Sequence, residues 1–389
     1  MRSSFIALAA VLTGTATPAF ADEAAYAAER PDNSILVIGQ KQSDTIENAP
    51  STRAQVTADT IATTVNAVST EDTLKYLPSL VIRKRHIGDN FAPIATRTSG
   101  LGASARSLIY ADGALLSALI GNNNGNGSPR WTLVTPEEIE RVDVLYGPFS
   151  AAYSGNSIGS VVNITTRLPD KFEMRATALV NLQDFSLYGT QRTLPTSQFS
   201  GSIGNRFGPL ALFASVTRTE AHSQPISFTT ITGTANPAGT TGGYADLNKL
   251  GQPIRVLGAG GLEHHVQDTY KLKAALDLTP NIRATYVLGI WTDDTQGDVE
   301  SYLQSTSGTA SYKTAASGAT TGFNSAVYTR DAVHFSHALS LSGNTPKLDW
   351  QVVGTLYRYA HDWQNNPSPD TATGTSAATG FIGTRNDLP

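Results

Sequence analysis

The chain has 389 residues, 15% of them charged and 40% apolar, with a formal net charge of −4. That length allows two ordinary domains, and the weak negative charge gives no electrostatic reason for a nucleic-acid partner. Cysteine is absent, which excludes disulfides, thiolate metal sites and cysteine nucleophiles; no apolar run is long enough to span a bilayer as a helix.

The N-terminus carries Arg2, an apolar run from Phe5 to Leu12 and the small-x-small sequence Ala19-Phe20-Ala21. This predicts a secretory signal peptide over residues 1–21, too short and wrongly flanked for an anchor, and hence an exported protein of the periplasm or outer membrane. A buried N-terminal helix is the competing reading. Residues 22–44 are expected to be a mobile segment, interrupted by the apolar stretch Ile35-Leu36-Val37-Ile38-Gly39. That stretch is too short to build a core and suits an extended segment that pairs with something else.

Residues 45–170 read as a compact α/β domain. Ser69-Thr70-Glu71-Asp72 predicts a capped helix start with acids in its first turn. Leu74 and Leu77 share a face, and Pro78 stops the helix. Thr135, Pro136 and Glu138 predict a second start. A strand follows through Val142, Val144 and Tyr146, ending at Gly147-Pro148. Leu108-Ile109-Tyr110 runs into a turn at Ala111-Asp112-Gly113, and residues 161–166 form a further β-rich run.

From residue 171 to 389 the pattern changes to long alternating segments. Tyr270, Leu272, Ala274, Leu276 and Leu278 alternate with Lys271, Lys273, Ala275, Asp277 and Thr279. Strands are predicted near 172–183, 196–205, 209–219, 266–279, 281–292, 329–342 and 346–360. Their connections run long, short, long, short, long, short. A soluble sheet with one wet face also alternates with period two, but strict long/short order is the habit of an outer-membrane barrel, with long loops outside and short turns in the periplasm.

Four blocks carry a family resemblance. Glu71 to Leu80 (EDTLKYLPSL) is similar to the plug-helix motif of TonB-dependent receptors, and Leu108 to Gly113 (LIYADG) to their strand and turn before the apical plug loop. Pro136 to Ala151 (PEEIERVDVLYGPFSA) resembles the most diagnostic plug segment, and Tyr153 to Thr166 (YSGNSIGSVVNITT) the plug's last strand. The resemblance covers roughly residues 34–170 and implies an α/β plug domain followed by antiparallel membrane β-barrel strands. It also implies that the barrel here is incomplete, about seven strands of about twenty-two, so that the chain reads as a fragment or a truncated gene.

On this resemblance the expected activity is energised uptake of a scarce external ligand, most often a ferric siderophore, across the outer membrane of a Gram-negative bacterium. The partners would be the inner-membrane TonB complex, the ligand and outer-membrane lipid, with no cofactor and no nucleic acid. A passive porin-like barrel or a signal-transducing receptor is the alternative; a transducer would carry an extra periplasmic domain ahead of the box. Ile35, Leu36, Val37, Ile38 and Gly39 resemble the TonB box, a segment that can add a strand to its partner, or they form a first plug strand.

The resemblance places His86, Arg97, Asn122, Asn123, Asn124 and Asn126 at the ligand-facing end of the plug. The Asn/Gly stretch is a loop by composition and equally suits plain flexibility. Arg83-Lys84-Arg85-His86 reads as a solvated or wall-facing basic cluster, and plug arginines of the family often meet acidic wall residues. His264-His265 alone is a weak metal motif, and no metal site is expected. No Walker lysine, nucleophile elbow or dinucleotide fingerprint is present, so no enzyme is expected.

Overall fold

The computed structural model describes residues 5–11, 53–98, 100, 106–117, 128–147, 153, 155–314, 321–345, 348–367 and 381–385. Among them the plug domain is built on a five-stranded sheet. Its strands lie in the order Arg53–Thr57, Ile139–Tyr146, Ser160–Thr166, Leu108–Ala111, Ala114–Leu115. All its pairings are antiparallel except that of Leu108–Ala111 with Ser160–Thr166. Val142, Val144, Val162, Ile109 and Ile94 are wholly buried around Trp131, whose Nε1 donates to the Ala92 carbonyl at 2.8 Å. Asp112 and Gly113 form the tight turn, both at positive φ (48° and 84°). Left-handed backbone favours glycine, and a Cβ on Gly113 would also press on Val353 at 3.3 Å.

Two predicted plug helices are shorter than expected. Thr70–Leu74 and Pro136–Glu138 are 3₁₀ turns. In the first, the amides of Lys75 and Leu77 bond three residues back, to Asp72 and Leu74, and Pro78, which lacks an N–H, ends the run. In the second, Glu138 Oε1 accepts from the Thr135 amide at 2.7 Å, as a capping box should. The chain then extends at once into Ile139–Tyr146, whose β-branched residues pack in the sheet. The α-helix Ala58–Thr64, started by Thr57, was not anticipated.

Leu80–Ile82 pairs with Ile94–Thr96, and Thr240–Gly242, Leu303–Ser305 and Ala310–Ser311 make a small sheet of their own. The other described strands form one antiparallel sheet, the wall. Its long members are β1 (Glu173–Leu187), β2 (Thr190–Phe207), β3 (Leu210–His222), β4 (Pro253–Thr279), β5 (Ile282–Ser301), β6 (Tyr328–Thr345) and β7 (Leu348–Pro367). Phe5–Val11, within the stretch read as a signal peptide, pairs with β1, and Phe381–Arg385 pairs with β7. No helix among the described residues is long and apolar enough to cross a membrane.

The expected alternation is present. Tyr270, Leu272, Leu276 and Leu278 are exposed on the outer face of β4, while Thr269, Lys271 and Lys273 are buried on the inner face. Outward positions remain largely apolar from the short turns up to Val216 and Tyr270 and turn charged at Arg218 and Asp268, which pair at 3.0 Å. That leaves a band about ten residues deep on each strand, which suits the hydrocarbon core. Leu272, 44% exposed, lies near the middle of it. Leu272→Arg should therefore cost ~2–4 kcal/mol in a bilayer unfolding titration; a change under about 0.5 kcal/mol, ordinary for a water-facing site, would place that face in water.

The first connection corrects the sequence reading. Residues 184–195, expected as a long loop, are strand: β1 and β2 meet across Tyr188-Gly189, with Leu187 opposite Thr190. Beyond the lipid band the outward positions turn polar at Asp184, Ser186, Gln191 and Thr193, so the apolar alternation fades while backbone pairing continues. Thr193 donating to Asp184 at 2.8 Å replaces apolar contact there. β4 likewise begins at Pro253 rather than near residue 266, but there Val256 to Glu263 are buried, with Leu257 packed against Leu303 and Phe323.

Candidate functional site

The plug is joined to the inner face of the wall by buried polar contacts, and these form the candidate site. Near the short-turn end, Lys271 Nζ lies 2.8 Å from Glu138 Oε1 and Lys273 Nζ 3.2 Å from Asp112 Oδ2. Lys273 also donates to the Thr166 carbonyl at 2.9 Å. Higher up, Thr269 donates to the Thr132 carbonyl and Gln267 to that of Gly88, both at 2.9 Å. These side chains share one parity of β4, so a single regular strand sets them in a row against the plug.

Above that row the contacts converge on Glu263 of β4. The plug's Arg85 Nη1 lies 3.2 Å from Oε1, and the Tyr328 hydroxyl of β6 donates to the same oxygen. Oε2 faces His86 Nε2 at 3.1 Å and His265 Nε2 at 2.7 Å. The side chains of Glu263 and both histidines are buried. Asp89, bonded to Arg85 at 2.7 Å, fixes the guanidinium from the plug side.

Burial by itself would raise the Glu263 carboxyl, but the bonds from His265 and His86 and the Arg85 charge outweigh it and hold it well below the usual carboxylate range. Burial likewise opposes charge on His265, yet Asp293 and Glu263 overcome it and push the ring up to about 9. Asp293 acts at 3.8 Å from His265 Nδ1, too far for a hydrogen bond, and is reached through the Thr295 hydroxyl, 2.7 Å from Nδ1 and 2.9 Å from Asp293 Oδ2.

A second cluster adjoins it. Arg330 bonds Asp362 at 2.9 Å and lies over the Trp291 ring, while the plug's Arg130 lies over the Tyr359 ring and donates to its hydroxyl. His334 reaches Asp362 at 3.1 Å. Trp291 and Ala332 of the wall belong to the plug's own apolar cluster, so apolar packing continues the seam beside these charges.

Among the residues singled out from sequence, His86 is buried against Glu263, and Arg97 is exposed just after Ile94–Thr96. Ile35 to Gly39 and Asn122, Asn123, Asn124 and Asn126 lie outside the described residues. Of the basic run, Arg85 meets the wall and Lys84 pairs inside the plug with Glu71 and Asp72, at 3.3 and 3.1 Å. His264 and His265 point apart. His264 faces outward, 3.0 Å from Glu220 with its ring stacked on His222.

Sequence reasoning missed Glu263, Asp293, Tyr328, Arg330 and Asp362. The available signal was charge at the inward parity of β4, where Glu263, His265, Lys271 and Lys273 alternate with outward residues.

Residues 45–161 match the TonB-dependent Receptor Plug Domain family. Over 124 residues the chain is 32% identical to the ferric enterobactin receptor PirA of Pseudomonas aeruginosa, which covers 32% of this chain and 16% of that one. Over 142 residues it is 28% identical to an iron-regulated outer membrane virulence protein of Vibrio cholerae, covering 36% and 21%. Among solved structures it resembles the ferric enterobactin receptor PfeA in complex with BCV-L6, with a TM-score of 0.53 at 15% identity over 87% of this chain and 45% of that one. The structural likeness speaks for the fold alone. In every case the match spans less than half of the relative.

Proposed function

We propose that the chain, whose residues 45–161 match the TonB-dependent receptor plug family and whose wall shares the fold of a solved outer-membrane receptor, serves energised import of a ferric siderophore. The observation that carries this reading is the seam itself, a plug held to the inner wall by buried ion pairs. One relative supports the cargo: PirA is named a ferric enterobactin receptor. Residues 1–21 act as the export leader in this scheme, and the apolar stretch Ile35 to Gly39 is the TonB box.

The external ligand binds plug loops around residues 86–98 and 122–127 together with long wall loops. Binding releases the N-terminal segment, which adds a strand to TonB through its backbone. Force is needed because withdrawing the plug breaks contacts such as Lys271–Glu138 and Arg85–Glu263. Each buried pair left without its partner costs ~3–5 kcal/mol, so thermal opening is rare.

Removing residues 35–39 from the complete gene and measuring uptake of labelled ferric enterobactin tests this. Energised uptake should vanish while cell-surface binding persists. Uptake at the unaltered rate would remove the import mechanism.

A further inference from the structure

Arg85 and Glu263 alone suffice to join the plug loop to the wall, yet two imidazoles also converge on that carboxylate. His86 Nδ1 lies 2.9 Å from the Ile87 carbonyl, which can only accept, so this nitrogen carries a proton. His265 Nδ1 lies 2.7 Å from the Thr295 hydroxyl, which donates in turn to Asp293, so this nitrogen also carries a proton. Each ring is thus oriented by an outer acceptor on Nδ1 and turns Nε2 inward. The carboxylate is oriented in the same way: Arg85 and Tyr328 hold Oε1, and Oε2, which also accepts from Arg85 Nη2 at 3.3 Å, is presented to the rings. Outer partners that fix the ring and turn Nε2 toward a shared centre are what histidine ligands of a metal require.

The candidate ligand atoms of His86, Glu263 and His265 all lie within 4.8 Å of one another, and all three residues are buried. A tetrahedral ion with bonds of about 2.0–2.2 Å sets its ligand atoms a little over 3 Å apart, within the spread these atoms already show. The geometry points to a site for a divalent transition ion of zinc's class, held by Nε2 of His86 from the plug and by Oε2 of Glu263 and Nε2 of His265 from the wall. Two histidines and a carboxylate form an established zinc donor set with a fourth position open. Where both Nε2 atoms are protonated, one M²⁺ takes the place of two protons, which leave to solvent, and the charge of the buried site is unchanged. The bound ion would staple the plug loop at residues 83–91 to β4. This goes beyond import of a cargo, since it concerns what keeps the plug seated.

The test uses the receptor as expressed from its gene, purified in detergent, stripped with chelator and titrated with Zn²⁺ alone in mildly alkaline buffer, where protons compete less. One tight equivalent per chain is expected. His86→Ala and His265→Ala should each weaken it about a hundredfold or more, the upper range for disturbing even an outer partner. His264→Ala and His361→Ala should leave it unchanged. Zinc should also slow amide exchange at residues 83–91. Absence of stoichiometric zinc, or zinc that survives both ligand variants, overturns the proposal. Should the variants fail to fold, Co²⁺ added to the unaltered receptor decides: an intense visible spectrum of tetrahedral cobalt supports the site, and its absence overturns it.

Discussion

Glu263→Ala should weaken the hold of the wall on the plug's Arg85–Asp89 loop by ~3–5 kcal/mol, the usual cost of stripping one partner from a buried ion pair. The side chain is 2% exposed and accepts from Arg85, His86, His265 and Tyr328. Its loss leaves the Arg85 guanidinium without its wall partner and two buried imidazoles, His86 and His265, without their Nε2 acceptor. Asp89 and Asp293 remain nearby, so part of the charge stays balanced; this keeps the expected cost within that range. Glu263→Gln preserves volume and one acceptor oxygen, and should cost less than the alanine. Amide exchange at residues 83–91 reads the effect locally, and thermal melting reads it globally. Protection of that loop unchanged to within about 0.5 kcal/mol, the scale of a neutral surface substitution, would show that the carboxylate is not the anchor.

The parts of this seam that were legible in the sequence are local ones. Thr135, Pro136 and Glu138 announce a capped turn because cap and acid lie three residues apart. Lys271 and Lys273 announce a polar face because period two places them opposite Tyr270 and Leu272. What no local pattern holds is that Glu138 caps its own turn and also receives Lys271 from a strand 133 positions away. The same separation hid the meeting of His86 with Glu263, 177 positions apart. His86 was singled out for the ligand-facing end, and its buried contact with a wall carboxylate could be seen only once plug and β4 stood face to face. The Tyr188-Gly189 hairpin was hidden for another reason. Above the lipid band strand pairing rests on backbone bonds and polar pairs such as Thr193 with Asp184, so the hydrophobic signal used to place strand ends was missing where the strands continue.

Lys271→Met is expected to be nearly as damaging as loss of Glu263, for the opposite charge. Lys271 and Glu138 are 4% and 1% exposed and lie 2.8 Å apart. Once the ammonium is gone, Glu138 keeps the Thr135 amide on Oε1. Its Oε2 is buried and lacks a protein hydrogen-bond partner in the folded chain. A carboxylate so placed must stay charged with only the more distant Arg167 to balance it, or take up a proton, and either route costs up to ~3–5 kcal/mol at neutral pH. Adding Glu138→Gln to Lys271→Met should recover most of that loss. The amide carbonyl retains the cap bond, and a methionine fills the volume of the lysine stem without charge. The double-mutant cycle should thus give a coupling energy toward the upper end of the 0.5–3 kcal/mol found for contacting residues. If the double variant is as unstable in a urea titration as the single one, the two residues are not energetically paired. Plug seating would then rest on the apolar cluster around Trp131 and Trp291 rather than on the row of charges along β4.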